Sequence, residues 1–159
     1  MAFERAKAYL EEKGFGDRVI VPEHSSATVE AAAEALGCTP AMIAKSLSFL
    51  QGEEAVLVLA EGTARVDNKK YKDTFHCKAK MIPGDLVEEK IGHAVGGVCP
   101  FGVNEGVKVY LDESLKRHET VYPACGSDHS AVRLSIPELE ACSGYLSWVD
   151  VCKDPEPAG

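Results

Sequence analysis

The sequence predicts a mixed α/β fold of the α+β type, in which helices pack outside a curved, barrel-like mixed sheet. Helical and strand patterns follow one another along the chain without the regular alternation of βαβ units, and this irregular order is typical of a mixed sheet. The 159 residues are 45% hydrophobic and 26% charged, so the chain can fill one closed core. We therefore expect a single domain over residues 1–153, followed by a frayed tail at residues 154–159.

The helices are predicted from their apolar spacing and from end signals. Residues 2–13 carry an amphipathic pattern. Residues 28–36 carry a second one, with Ser26 or Ala27 near its cap and Gly37 at the C′ position. Further helices are predicted at residues 39–45, 67–72, 83–90 and 136–142.

Short apolar runs bounded by turn signals predict the strands. They lie at residues 19–21, 47–50, 55–60, 107–111, 120–124, 132–135 and 145–151, and the Gln-Gly-Glu-Glu turn between the second and third makes these two a hairpin. None of these runs is long enough to span a bilayer, and the N-terminus begins a helix rather than a signal peptide. We therefore expect a cytoplasmic protein without a membrane partner.

Charge argues against a general nucleic-acid binder but leaves one local basic patch. The formal net charge is −8, which does not favour broad binding to DNA or RNA. Residues 65–80 nevertheless hold six Lys or Arg residues against two Asp residues. Such a patch suits a small footprint on a polyanion, with Lys69, Lys70 and Lys72 as contacts. A solvated helix face explains the same pattern, so both interpretations stay open.

The six cysteines include no pair with the two-residue spacing of a zinc knuckle or a redox motif. In a cytosolic chain we expect them to be free thiols, mostly buried as small hydrophobic side chains. The spacing therefore predicts no metal site.

The most unusual local sequence is the run Gly-Gly-Val-Cys-Pro-Phe-Gly at residues 96–102, here called the glycine–proline loop. Glycine allows a backbone to approach a ligand closely, and Pro100 makes the loop rigid. A rigid loop with outward N–H groups is suited to hold an oxyanion or a phosphate. A tight turn between two core elements is the structural alternative.

Lys45 is a second candidate because of its place in an apolar run. The helix that Thr39 and Pro40 open should end near this lysine, just before the next strand. A cation at such a junction either extends to solvent or points into a cleft. A lysine that only complements the dipole at the end of a helix is the alternative.

A polar turn after the strand at residues 120–124 is the third candidate. It reads Cys-Gly-Ser-Asp-His-Ser from Cys125 to Ser130 and is here called the closing turn. The adjacent Asp128 and His129 suggest acid–base or metal chemistry. Neighbours on a turn usually point in different directions, however, and these residue types are common in ordinary turns.

Together the three segments resemble one family in order and spacing. The segment Ile43–Phe49 is similar to the lysine-bearing segment of the YbaK/ProX and prolyl-tRNA synthetase-associated editing domains. Gly96 and Pro100 match the ends of their GxxxP loop, and Ala124–Ser127 with the strand that follows resembles their closing segment. The likeness extends over nearly the whole chain.

The resemblance implies a free-standing hydrolase of the ester between a wrong amino acid and the 3′ end of a tRNA, usually a proline tRNA. It implies a lysine that clamps the terminal adenosine and its phosphate, loop amides that hold the substrate carbonyl or the attacking water, and neither a metal nor another cofactor. Mischarged tRNA is the expected partner, with prolyl-tRNA synthetase as a further candidate. The implied catalytic residues are Lys45, Gly96, Gly97, Val98, Cys99 and Pro100, and the substrate-binding candidates are Gly126, Ser127, Asp128, His129, Lys69, Lys70 and Lys72.

Two other functions stay open on the sequence alone. A non-catalytic module of the same fold would use Lys45 and the loop only to bind a tRNA end or a synthetase. A cysteine hydrolase would use Cys99 as nucleophile, with His93 as its partner. The amino acid removed is also open among alanine, serine and cysteine. Ala131 stands where members that act on cysteinyl-tRNA tend to carry an acidic residue.

Replacing Lys69, Lys70 and Lys72 together by Ala should weaken tRNA binding and flatten its salt dependence, because each lysine on a phosphate releases counterions when it binds. Filter binding between about 50 and 200 mM salt measures both the affinity and the slope. Wild-type affinity with an unchanged slope would show that these lysines form a solvated helix face.

Overall fold

The central feature of the structure is a six-stranded mixed sheet that curls into a half-barrel. A computed structural model describes residues 2–21, 28–93, 97–127 and 130–153. Its strands are β1 (Val19–Ile20), β2 (Ile43–Gln51), β3 (Glu54–Glu61), β4 (Arg65–Val66), β5 (Lys108–Asp112), β6 (Thr120–Pro123), β7 (Ala131–Val132), β8 (Leu134–Ser135), β9 (Ser147–Val149) and β10 (Cys152–Lys153). The sheet has the order β8-β6-β2-β3-β5-β9, while β1 pairs with β7 and β4 with β10 in two separate ladders.

Five α-helices and three short 3-10 helices accompany the strands in the described part of the chain. The α-helices are α1 (Ala2–Glu12), α2 (Val29–Leu36), α3 (Asn68–Phe75), α4 (Gly84–Ile91) and α5 (Ile136–Ser143), and the 3-10 helices are Gly16–Arg18, Pro40–Met42 and Glu113–Arg117. The predicted mixed fold with a curved sheet is confirmed. No helix within the described ranges has the length and apolar character needed to cross a membrane.

The antiparallel hairpin of β2 and β3 lies at the centre of the sheet. Its register runs from Ala44 opposite Glu61 to Gln51 opposite Glu54. β6 joins β2 and β5 joins β3, both in parallel, so each hairpin strand has a neighbour on either side. β3 is buried at every position after Glu54, as expected of a strand inside the sheet.

Side chains of β3 alternate between two hydrophobic cores on opposite faces, as the two-residue repeat of a strand requires. Leu57 and Leu59 belong to the larger core, which also takes side chains from α1, α4 and α5. Val56 and Val58 belong to the smaller core, together with Tyr71 of α3. Because both faces are covered, the strand is a continuous apolar run rather than an alternating one.

The ends of α2 are set by one side chain and one glycine. Thr28 Oγ1 accepts a hydrogen bond from the amide of Ala31 at 3.0 Å, so the cap lies one or two residues after the predicted Ser26 or Ala27, which are outside the described residues. Gly37 ends the helix in the left-handed conformation, with φ 71°. The predicted helix stop at this glycine is therefore confirmed.

The predicted helix at residues 39–45 is wrong over its second half. Pro40–Met42 forms a single 3-10 turn, and Ile43 already begins β2. The residues from Ala44 onward pair with β3, and the first two residues of β2 also pair with β6. Pairing on both sides outweighs the local helix signal of this segment.

Two predicted strands are each divided in the structure. Residues 132–135 are divided at Arg133, whose amide donates to the carbonyl of Arg18 at 3.1 Å. On one side of this residue β7 pairs with β1, and on the other side β8 pairs with β6. Within residues 145–151 only β9 forms, and the chain then continues to β10, which pairs with the unpredicted β4. The predicted tail at residues 154–159 lies outside the described residues.

A buried carboxylate holds the segment between β9 and β10. Asp112 is 1% exposed. Its Oδ1 accepts from the amide of Val151 and its Oδ2 from the amide of Ser114, both at 2.9 Å. The end of β5 is therefore tied both to the 3-10 helix that follows it and to the C-terminal strands.

Asp112→Asn should lower the free energy of unfolding by about 1–3 kcal/mol, because the new amide group replaces an acceptor and faces a buried N–H donor. Urea unfolding followed by circular dichroism measures the change. Asp73→Asn on the exposed side of α3 is the control. A change within about 0.5 kcal/mol, as for an ordinary surface substitution, would contradict the anchoring role of Asp112.

Candidate active site

One cavity of about 290 Å³ brings the three predicted segments together. Lys45 comes from β2, Val98 from the glycine–proline loop, and Ser130 from the closing turn. The remaining wall is mainly apolar, and its larger side chains are Val29, Leu36, Ile43, Met81, Ile82, Val87 and Tyr122. Segments far apart in sequence thus share one small, mostly apolar space with a few polar groups, as ligand sites commonly do.

Lys45 is the third residue of β2 and lies opposite Ala60, so it does not follow the end of a helix as predicted. Its Nζ donates a hydrogen bond to the carbonyl of Ala64. Partial burial lowers the pKa of the Lys45 ammonium, and Arg65 lowers it further, whereas Glu61 raises it. The alternative of a lysine that complements a helix dipole is excluded, because no helix ends at this position.

Strand alternation places the Lys45 side chain and the serines of β2 on opposite faces. Lys45 shares its face with Leu47, which packs on the smaller core. Ser46 and Ser48 share theirs with Ala44 of the larger core, and both serines line the cavity. Although it lies on the opposite face from the serines, Lys45 also lines the cavity, near the beginning of β2. The carbonyl of Ala64, which accepts its hydrogen bond, lies in the turn after β3.

The glycine–proline loop packs directly against the closing turn. The amide of Gly126 donates to the carbonyl of Gly97 at 3.1 Å. A Cβ added to Gly97 would lie 2.5 Å from both the carbonyl carbon of Gly126 and the amide nitrogen of Ser127, so only glycine permits this approach. The contact fixes the loop at the cavity, where Val98 lines the wall. Gly96 lies outside the described residues.

Cys99 and His93 do come together, but inside the larger core. Both are 0% exposed, and Sγ lies 3.6 Å from Nε2. Nε2 is 2.7 Å from the carbonyl of Phe101. Because a carbonyl only accepts, this nitrogen carries the proton and cannot serve as a base for the thiol.

Burial also makes both groups of this pair poor catalysts. It raises the pKa of the Cys99 thiol and lowers the pKa of the His93 imidazole. The neighbouring Pro100 is buried as well. A neutral, inaccessible thiol is not a nucleophile, so the geometry does not support the cysteine-hydrolase alternative.

The closing turn holds a pair of serines beside the cavity. Ser130 Oγ lies 2.7 Å from Ser127 Oγ and donates to the carbonyl of Cys125 at 3.1 Å. Ser130 was not among the predicted site residues, whereas Asp128 and His129 were, and these two lie outside the described residues. Within the described ranges, no three His, Cys, Asp or Glu side chains are grouped so that they could hold a metal ion.

The predicted basic contacts on α3 do not line this cavity. Lys69 and Lys72 are exposed. Lys70 Nζ donates to Asp150 and to the carbonyl of Cys152, both at 3.0 Å, and the bond to Asp150 raises the pKa of Lys70. Lys70 thus links α3 to the C-terminal strands, whereas the other two lysines face solvent.

Most of the cavity wall carries no functional signal in the sequence. Val29, Ala32 and Leu36 line the cavity, although their spacing predicted an ordinary core face, because a helical stripe does not distinguish a packed face from a cavity wall. One signal was available. Ser46 and Ser48 stand two residues apart in β2, directly after Lys45. Ser46 Oγ is buried without a hydrogen-bond partner among the described residues, which makes it a candidate ligand contact.

Comparison with known proteins relates the chain to enzymes of tRNA charging. The family model of the aminoacyl-tRNA editing domain matches residues 23–142. The uncharacterized protein YwhH of Bacillus subtilis (strain 168) is 53% identical over 135 residues, which cover 84% of this chain and 86% of that protein. A proline–tRNA ligase of Limosilactobacillus fermentum is 35% identical over 95 residues, which cover 56% of this chain but only 17% of the ligase.

A solved structure described as a candidate trans-editing enzyme for prolyl tRNA synthetase has the same fold. It superimposes with a TM-score of 0.86 at 32% sequence identity. The superposition covers 96% of this chain and 97% of that structure. The superposition therefore extends over more of the chain than residues 23–142, which the family model matches.

The Cys99 thiol should stay unmodified in the native protein, because only an accessible thiolate reacts with alkylating reagents. Iodoacetamide at pH 8, followed by mass spectrometry, should label the half-exposed Cys38 and Cys77 first. The buried thiols should react only after unfolding in guanidinium, since burial also raises the pKa of Cys125, Cys142 and Cys152 to about 12. Rapid labelling of Cys99 would restore the cysteine-hydrolase alternative.

Proposed function

Because this chain belongs to the aminoacyl-tRNA editing domain family, we propose that it is a trans-editing deacylase that hydrolyses the ester of mischarged tRNA. The observation that carries this proposal is the meeting of Lys45, the glycine–proline loop and the closing turn around one small cavity. The description of the solved relative as a candidate trans-editing enzyme supports the same reaction class. Residues 1–153 form the single editing domain.

Lys45 holds the phosphate of the terminal adenosine. An ammonium has three N–H donors, and the carbonyl of Ala64 takes one of them, so donors remain for phosphate oxygens. A charge-assisted hydrogen bond in a partly buried position is stronger than one in water. The lysine thereby fixes the end of the tRNA chain at the cavity wall.

Hydrolysis then proceeds through attack of water on the ester carbonyl. The backbone amide of Val98, the loop residue that lines the cavity, stabilises the oxyanion of the tetrahedral intermediate, and the ribose oxygen leaves and takes up the proton that the water gives up. Because an aminoacyl ester is already activated, positioning and oxyanion stabilisation lower the remaining barrier without a protein nucleophile. Gly97, held against Gly126 and Ser127, keeps the loop in one orientation throughout.

The substrate is a proline tRNA that carries a small wrong amino acid. The proline–tRNA ligase and the trans-editing relative among the similar proteins support the tRNA and a prolyl-tRNA synthetase partner. The small volume and the serines Ser46, Ser48 and Ser130 in the wall suit alanine, serine or cysteine. Because one methyl group changes binding by only about 1–3 kcal/mol, a deacylation panel of mischarged proline tRNAs is needed to choose among them.

Lys45→Ala should slow single-turnover deacylation of mischarged tRNA by about 10²-fold or more, because the ester is no longer held against the loop. The melting temperature should change little, since the substitution empties no core position. Lys7→Ala on the exposed face of α1 is the matched control and should keep the full rate.

Two outcomes would contradict the proposal. A folded Lys45→Ala variant with a near-normal rate would remove the lysine from the site. A wild-type protein that binds mischarged tRNA without shortening the lifetime of the ester would be the non-catalytic binding module instead.

A further inference from the structure

Glu61, the last residue of β3, is a buried carboxylate outside the cavity and outside the proposed chemistry. It is 4% exposed. His118 Nε2 lies 2.6 Å from its Oε2, Arg117 Nη1 lies 3.3 Å from its Oε1, and Thr63 Oγ1 donates to Oε1 at 3.4 Å. Burying a charge is costly unless it is paired and hydrogen-bonded, so this cluster holds the carboxylate in one place.

The same residue closes the turn at residues 61–64, which carries the hydrogen-bond acceptor of Lys45. The amide of Glu61 donates to Ser114 Oγ at 3.0 Å, and the carbonyl of Glu61 accepts from the amide of Ala64 at 2.9 Å. The carbonyl of Ala64 then accepts the hydrogen bond from Lys45 Nζ. A continuous path of contacts therefore runs from the buried carboxylate to the ammonium.

The turn has no room to shift independently of the cavity wall. A Cβ added to Gly62 would clash with the carbonyl oxygen of Pro40 and would lie 2.9 Å from Cγ1 of Val29 and 3.1 Å from Cβ of Ile43. Val29 and Ile43 both line the cavity. A displacement of this turn would therefore disturb the cavity wall as well as the carbonyl that accepts from Lys45.

We propose that Glu61, held by His118 and Arg117, is a positioning residue that sets the direction of the Lys45 ammonium through the carbonyl of Ala64. This inference rests on the proposed role of Lys45. The charge of Glu61 acts in the same sense, because it raises the pKa of Lys45 and so opposes the larger lowering by burial. Glu30 acts in the same direction as Glu61, so the distinct contribution of Glu61 is the direction of the ammonium.

A double-mutant cycle tests this coupling. Glu61→Gln keeps the shape of the side chain and removes its charge. It should slow single-turnover deacylation by about 10-fold or more, up to the ~10²-fold that a 1 Å misplacement can cost. In the Lys45→Ala background the same change should add less than about 2-fold, because Glu61 acts through the missing lysine. Equal losses in both backgrounds would overturn the proposal.

Glu54→Gln is the matched control for this cycle. Glu54 lies at the opposite end of the same strand, is exposed and pairs with Lys108 at 2.6 Å. Its substitution should leave the deacylation rate unchanged in both backgrounds. If Glu61→Gln does not fold, His118→Gln loosens the same carboxylate from a partly exposed position and should show the same dependence on Lys45.

A second measurement does not require enzymatic activity. NMR of protein labelled with ¹⁵N-lysine follows the resonance of Lys45 Nζ, which is assigned from a Lys45→Arg sample. Glu61→Gln should shift this resonance, because the carbonyl of Ala64 no longer holds the ammonium in the same direction, and an unchanged resonance would overturn the proposal. A wild-type protein without deacylase activity would instead count against the proposed function, so the two failures can be distinguished.

Discussion

The pairing of β2 with β3 is the interaction on which the rest of the structure depends. β3 pairs with β2 over its whole length, and the side chains of β3 fill a core on each face. A slip of one residue would exchange the two faces of either strand and would move Ser46 and Ser48 from the cavity into the smaller core. The burial of both faces therefore sets the register, and the register sets the positions of Lys45 and Glu61 at one end of the hairpin.

Buried polar anchors and close backbone contacts then attach the loops to this hairpin. The 3-10 helix Glu113–Arg117 is held at both ends, because Asp112 caps its start and Arg117 pairs with Glu61. On the other side of the cavity, Gly97 meets the backbone of Gly126 without an intervening side chain. A site built from fixed turns and backbone groups suits chemistry that depends on positioning and electrostatics.

Local sequence patterns predicted the helices and strands better than they predicted which strands pair with each other. The helix at residues 28–36 and the strand at residues 55–60 match α2 and β3 closely, because apolar period and end signals are local properties. The helix predicted at residues 39–45 failed because β2 begins at Ile43 and pairs with β3 and β6. The separate pairing of β4 with β10 had no local signal, since it joins segments far apart in the chain.

The sequence by itself determined the family likeness and the three segments that meet at the cavity, because Lys45, the glycine–proline loop and the closing turn are identities that can be read along the chain. Only the tertiary structure decided which of the candidate side chains are free to take part in catalysis or ligand binding. It buried Cys99 with His93 in the core, paired Lys70 with Asp150, and placed Glu61 behind the turn that contacts Lys45. Burial and distance depend on residues far apart in sequence, and the folded chain alone brings these residues together.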